Sequence, residues 1–177
     1  MPAQTVLELV LLLMVCAAAT VDLARRRIPN MLLLAGWGAA LPLHLMAPEP
    51  GTALLGALAG ALCGFLLFLP LYLLRGMAAG DVKMMATVGL FVGPYSALEV
   101  GVLTWCVGGV MALVIIVSKG RVRIALENVG DLLRPLWMRS LGMPAATEPM
   151  RQASAGNMPY GLAIAIATMA MVLLRHD

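Results

Sequence analysis

Apolar runs close to the thickness of a bilayer, joined by short connectors, make up most of this chain. A membrane-spanning helix needs about 20 mostly apolar residues. Residues 5–24, 31–46, 52–74, 97–118 and 159–174 form such runs, and 82–92 forms a shorter one. Of the 177 residues, 62% are hydrophobic and 12% charged, whereas a soluble domain carries about 25% charged residues. Too few polar side chains are available to cover so much apolar surface in water. The sequence therefore predicts an all-α, polytopic membrane helix bundle of about six spans, a single integral membrane domain over residues 1–177. Its expected surroundings are a lipid bilayer, with no nucleic-acid partner.

The turns fall between the runs. Ala47-Pro48-Glu49-Pro50-Gly51 ends the second, and Gly93-Pro94 separates the fourth from the fifth. The fourth run is short: at 1.5 Å per residue, its span is only about 17 Å. Charge nevertheless argues that it crosses. With the N-terminus outside, Arg25, Arg26, Arg27, Arg75, Lys83, Lys119, Arg121, Arg123, Arg134, Arg139 and Arg151 all fall inside, and only Arg175 falls outside. This is the bias that orients membrane proteins, and without the fourth crossing residues 119–151 would face the wrong way. Because the arginines come after the first run, that run reads as a retained helix rather than a cleaved leader.

Two acids stand out in this frame. Asp81 lies in the stretch GMAAGDVKMMA, residues 76–86, between two apolar runs, and Asp22 closes the first run just before Arg25. An acid at a helix centre in a bilayer costs about 2.5–3.5 kcal/mol on insertion scales, so an acid at such a seam is a functional candidate. The charge-derived topology puts both at the cytoplasmic face, at one depth. Gly80, just before Asp81, permits unusual backbone angles and close approach of a second chain. Each acid alone is equally well a helix cap or an interfacial charge; it is the shared depth that favours function.

Other features read as architecture. Gly56, Gly60 and Gly64 lie on one helix face at a spacing that lets backbones approach. Glu8 and Glu99 sit near outer helix ends as inert interfacial groups. Residues 119–157 are expected to form a cytoplasmic segment, with an amphipathic helix over 121–141 lying on the membrane and a polar connector over 144–156. Cys16, Cys63 and Cys106 are isolated, as are His44 and His176, so neither a disulfide framework nor a metal site is expected.

Two carboxylates suffice for peptide hydrolysis. One takes a proton from water while the other, protonated, hydrogen-bonds the scissile carbonyl. Two close carboxylates do not both ionise cheaply and titrate as a unit. This chemistry requires neither metal nor cofactor, and the chain carries no HExxH or GxSxG motif. Two other readings stay open. A proton-coupled transporter would use acids as relays, and a non-catalytic assembly subunit of a pilus or secretion system would need only the packing.

The stretches D-LARRR-IPN (22–30), GMAAGDVKMMA (76–86) and MPYG (158–161) resemble the three signatures of the type IV prepilin peptidases. The small size resembles the branch that serves Flp/Tad pili, and the GxGD idea is shared with presenilin-like intramembrane aspartyl proteases. The resemblance implies an aspartic endopeptidase of the bacterial inner membrane. It would remove the short basic leader from prepilins and pseudopilins at the cytoplasmic face. Its two catalytic aspartates fall on Asp22 and Asp81. Supporting positions are Gly76, Ala78, Gly80 and Lys83 in one motif, Pro29 and Asn30 in another, and Pro159, Tyr160 and Gly161 in the third. Asn30 is expected to orient backbone near Asp22, Lys83 both to mark the inner face and to bind lipid phosphate, and Tyr160 to contact substrate. The family pattern has glycine where this chain has Ala78, which would be strained if that residue needed a positive φ. Larger relatives carry a cysteine-bearing domain between the first two helices, linked to N-methylation. Here only residues 25–30 join those helices, so peptidase activity without methyl transfer, and without S-adenosylmethionine, is expected.

Overall fold

The computed structural model describes residues 3–74, 76–120, 122–123 and 158–176. The described elements are helices: α1 (Ala3–Arg25), α2 (Asn30–Leu45), α3 (Pro50–Leu73), α4 (Ala79–Val92), α5 (Pro94–Ser118) and α6 (Tyr160–His176). Three of them, α1, α3 and α5, are long and apolar enough to cross a membrane. The chain divides into two compact units. One comprises 1–109 and 159–177, and the other 110–158. The expected surface helix and connector belong to the second and lie outside the described residues, except that Val122 and Arg123 are helical.

In the first unit α4 is the central helix. Every residue from Met84 to Phe91 is buried, as are Asp81 and Val82. A helix enclosed by its neighbours has no need of full bilayer length on its own account, which explains how so short an apolar run is accommodated. It begins at Ala79, three residues before the apolar run, so Asp81 lies inside its first turn. At its far end Gly93 has φ +79°, a conformation that L side chains rarely adopt. Pro94 is the next residue and the first of α5, so the chain reverses over a single residue.

Small residues fix α3 against α4. A Cβ at Gly60 would overlap the carbonyl oxygen of Gly89, and one at Gly64 that of Met85. These pairings run in opposite directions along the two helices, which are therefore antiparallel. Gly56, expected on the same packing face, meets nothing within 4 Å: it lies beyond the end of the contact. Gly60→Ala and Gly64→Ala are each expected to destabilise the protein by about 1–3 kcal/mol, the usual cost of overpacking, whereas Gly56→Ala is expected to leave stability unchanged or raise it by up to about 1 kcal/mol, alanine being the better helix former. Thermal unfolding in detergent measures this, and equal shifts at all three positions would show that the close approach is not what holds α4.

Polar bonds tie α2 to α4. Lys83 Nζ donates to Asn30 Oδ1 (3.2 Å), Trp37 Nε1 donates to Thr87 Oγ1 (3.0 Å), and His44 Nε2 lies 2.9 Å from the Leu90 carbonyl oxygen. The partners advance together along both chains, so these helices run parallel. His44, isolated in sequence, thus has a structural partner. α1 and α6 pack through small and apolar residues, with Ala18 and Ala19 on one and Ala163 and Ala167 on the other buried.

The consequence for function is where the ends meet. The C-terminal end of α1 gathers with the N-terminal ends of α2, α4 and α6. At the opposite end Glu8 lines one cleft and Glu99 another, and Arg175 borders both. The Arg175 guanidinium also donates to Ser96 Oγ.

Candidate active site

Asp22 lies one turn before the end of α1, and the residue four positions on fixes its backbone. The Arg26 N–H donates to the Asp22 carbonyl (2.8 Å), and Arg26 has φ 54°. A residue in this left-handed conformation just past a helix is a common way to end it. The helix thus stops abruptly and Asp22 is held at its last turn. The side chain points inward and is only 6% exposed. Its Oδ2 accepts the backbone N–H of Gly161 at 3.0 Å.

Gly161 is the second residue of α6, so its N–H is among those a helix leaves unpaired. Pro159, just before the helix, is buried. A side chain at 161 would collide with the acid: an added Cβ would lie 2.9 Å from Asp22 Oδ2 and 3.1 Å from its Cβ. The glycine of MPYG is there because the carboxylate occupies the space a methyl group would take.

Asp81 caps its own helix. Its Oδ2 accepts the Ala78 N–H at 3.2 Å, while its own N–H donates to the Ala78 carbonyl at 3.1 Å. This is half of a capping box; alanine offers no side-chain acceptor for the other half. Asp81 is also only 6% exposed. The two carboxylates lie within electrostatic reach of each other, and the Tyr160 phenol lies within reach of Asp81. Arg26 acts on Asp22 from the exposed side. Each acid therefore meets the N-terminus of a helix, Asp81 that of α4 and Asp22 that of α6. Helix N-termini attract negative charge, and this partly offsets the repulsion between two buried acids.

The remaining motif residues have more local roles. Ala78 has φ −83° and ψ 153°, ordinary extended backbone, so alanine is unstrained where the family pattern has glycine. Gly80 is helical rather than unusual in its angles. A Cβ there would meet the Ile28 side chain at 3.5 Å, an ordinary contact, so the position is close to the α1–α2 loop without being forced to be glycine. The Gly76 N–H donates to the Leu71 carbonyl at 2.8 Å, a bond that closes the end of α3. Pro29 is the N-cap of α2. Asn30, expected beside Asp22, has its side-chain oxygen on Lys83 instead, and so braces α2 against α4. Among the described residues no three His, Cys, Asp or Glu side chains come together as a metal-ligand set.

Sequence reasoning missed the Trp37–Thr87 and His44–Leu90 pairs. A signal was present: Asn30, Trp37 and His44 recur every seven residues along an otherwise apolar helix, and so share a face.

A helical bundle with membrane-length helices that brings two acids together, buried, at one end is the setting of an intramembrane enzyme or relay. The comparison with known proteins narrows it: the chain belongs to the type IV leader peptidase family, whose model matches residues 9–113, more than half of its length and including both Asp22 and Asp81. No match was found among curated proteins or among solved structures.

Proposed function

We propose that this peptidase is an aspartic endopeptidase that removes the short basic leader from Flp-like prepilins and pseudopilins. Asp22 and Asp81 would be its catalytic pair. The observation that carries the reading is their pairing: two buried acids 59 positions apart in sequence lie within electrostatic reach, each capping a helix N-terminus.

The mechanism uses one shared proton. The ionised member of the pair takes a proton from a water molecule as the water attacks the scissile carbonyl. The protonated member hydrogen-bonds the carbonyl oxygen and stabilises the charge that develops on it. Collapse of the tetrahedral intermediate passes a proton to the leaving amine. Because the pair works with one proton between them, activity against pH is bell-shaped. In this reading Tyr160, near Asp81, contacts the substrate. Arg25, Arg26 and Arg27 and Lys83 cluster at the same end, which supports a cytoplasmic location for the site in the bacterial inner membrane.

The transporter alternative is less well supported, because both acids sit at an end of the bundle rather than at its middle, where a relay would be expected. Methyl transfer is not proposed, since only a short loop joins α1 to α2. The test is co-expression with a prepilin bearing a basic leader and an apolar helix, read by intact mass. Loss of the leader mass, dependent on this protein, supports the assignment; an unchanged mass across such substrates would end it.

A further inference from the structure

A groove of about 530 Å³ opens between α2 and α3, floored by α4, and includes Asn30, Leu33, Trp37, Phe65, Lys83 and Thr87. Its volume lies within the range of small-ligand sites, about 300–1,000 Å³. It is distinct from the paired acids. Successive helical residues turn by about 100°, so Lys83, Ala86 and Thr87 lie between about 140° and 240° around α4 from Asp81. The groove is on the opposite face of the central helix.

Its polarity is arranged lengthwise. Within it the polar groups are already engaged: the Trp37 indole N–H is bonded to Thr87, and the Thr87 hydroxyl donates to the Lys83 carbonyl at 2.9 Å. What remains is an apolar trough with a cation at one end. Lys83 is exposed, and among the described residues its polar partner is the neutral amide of Asn30. Its charge is therefore open to an anion. At the open side Leu34 is 63% exposed, a surface suited to hydrocarbon.

We propose that this groove is a phospholipid site, with one acyl chain lying along the trough and the lipid phosphate paired with Lys83. An apolar trough ending in a single cation complements an amphiphile with an anionic end, and basic pockets between membrane helices bind lipid headgroups in this way. A free anion would leave the trough unused. A substrate helix there would lie on the wrong face of α4 to present its cleavage point to Asp22 and Asp81.

The test uses phosphatidylglycerol with brominated acyl chains, titrated into the full-length protein in non-ionic detergent. Trp37 emission is read after Trp105→Phe and Trp137→Phe. Quenching is expected to saturate, to be retained in Lys83→Arg, and to need about fivefold more lipid in Lys83→Ala, the loss expected for one lysine at a membrane surface. Millimolar inorganic phosphate should not relieve it. The Asp22→Asn/Asp81→Asn double variant should bind equally, so the result stands apart from the peptidase assignment. Quenching that never saturates, or that is unchanged in Lys83→Ala, overturns the proposal. Relief by inorganic phosphate would indicate an anion site instead, and relief by a leader-bearing apolar peptide a substrate site; either outcome also overturns it. Native mass spectrometry, with the tryptophans intact, should show a co-purified phospholipid retained by the wild type and depleted in Lys83→Ala.

Discussion

Asp22→Asn and Asp81→Asn are each expected to leave the leader on its prepilin, with turnover lowered by about 10³-fold or more. General acid–base catalysis by one positioned group contributes about 10²–10⁴-fold, and in the proposed mechanism each acid depends on its partner for its protonation state. The double variant should therefore be no worse than either single one, because groups that act as a unit do not contribute additively. Asparagine has nearly the shape of the acid it replaces and keeps a carbonyl oxygen. That oxygen still accepts the Gly161 N–H at position 22 or the Ala78 N–H at position 81. Both variants should thus melt like the wild type in detergent, which separates lost chemistry from lost fold. Cleavage at the wild-type rate by either single variant would remove the pair from the mechanism, whatever the family.

How far sequence alone reaches depends on what kind of signal each feature leaves. Apolar helices are written in length and hydropathy, so α1, α2, α3, α5 and α6 lie where the apolar runs lie. Acids in apolar surroundings are conspicuous for the same reason, and the charge bias alone puts Asp22 and Asp81 at one end. Faces are another matter. In a helix that is apolar all round, the period of hydrophobicity carries little information about which side meets a neighbour. Gly56, Gly60 and Gly64 look equivalent in sequence, yet only the latter two meet α4, because the contact ends where the chain reverses at Gly93. Asn30 sits eight positions from Asp22, and its side chain bonds to Lys83 instead; the choice is made by how α2 leans on α4. The start of α4 was obscured because its first turn, Ala79-Gly80-Asp81, is not an apolar run and is held by the Asp81 cap. The role of Gly161 had no local signature at all, since what it accommodates is a carboxylate 139 positions away.

That last contact leads to a second large effect, one that removes no titratable group. Gly161→Ala adds a single methyl group, with its carbon 2.9 Å from Asp22 Oδ2 and 3.1 Å from Asp22 Cβ. Because Asp22 is buried at the last turn of α1, the strain is relieved only by rotating the carboxylate off the Gly161 N–H or by sliding α6 away from α1. Either movement changes the separation of the paired acids. Misplacement by about 1 Å is enough to cost about 10²-fold in rate, so kcat should fall by about that factor. KM should change little if the leader and apolar helix of the substrate are held elsewhere. Alanine is otherwise the better residue in a helix, by up to about 1 kcal/mol over glycine, which offsets part of the collision. The loss of stability should therefore be small beside the loss of rate. The control is Gly80→Ala, in the other motif, where the added Cβ comes no closer than 3.5 Å to any atom of its neighbours, the nearest being in the Ile28 side chain, and cleavage should stay within a few-fold of wild type. Steady-state cleavage of a prepilin by both variants, with thermal unfolding alongside, separates the two positions. If Gly161→Ala cleaves like the wild type, the N-terminus of α6 does not hold Asp22 in the working enzyme.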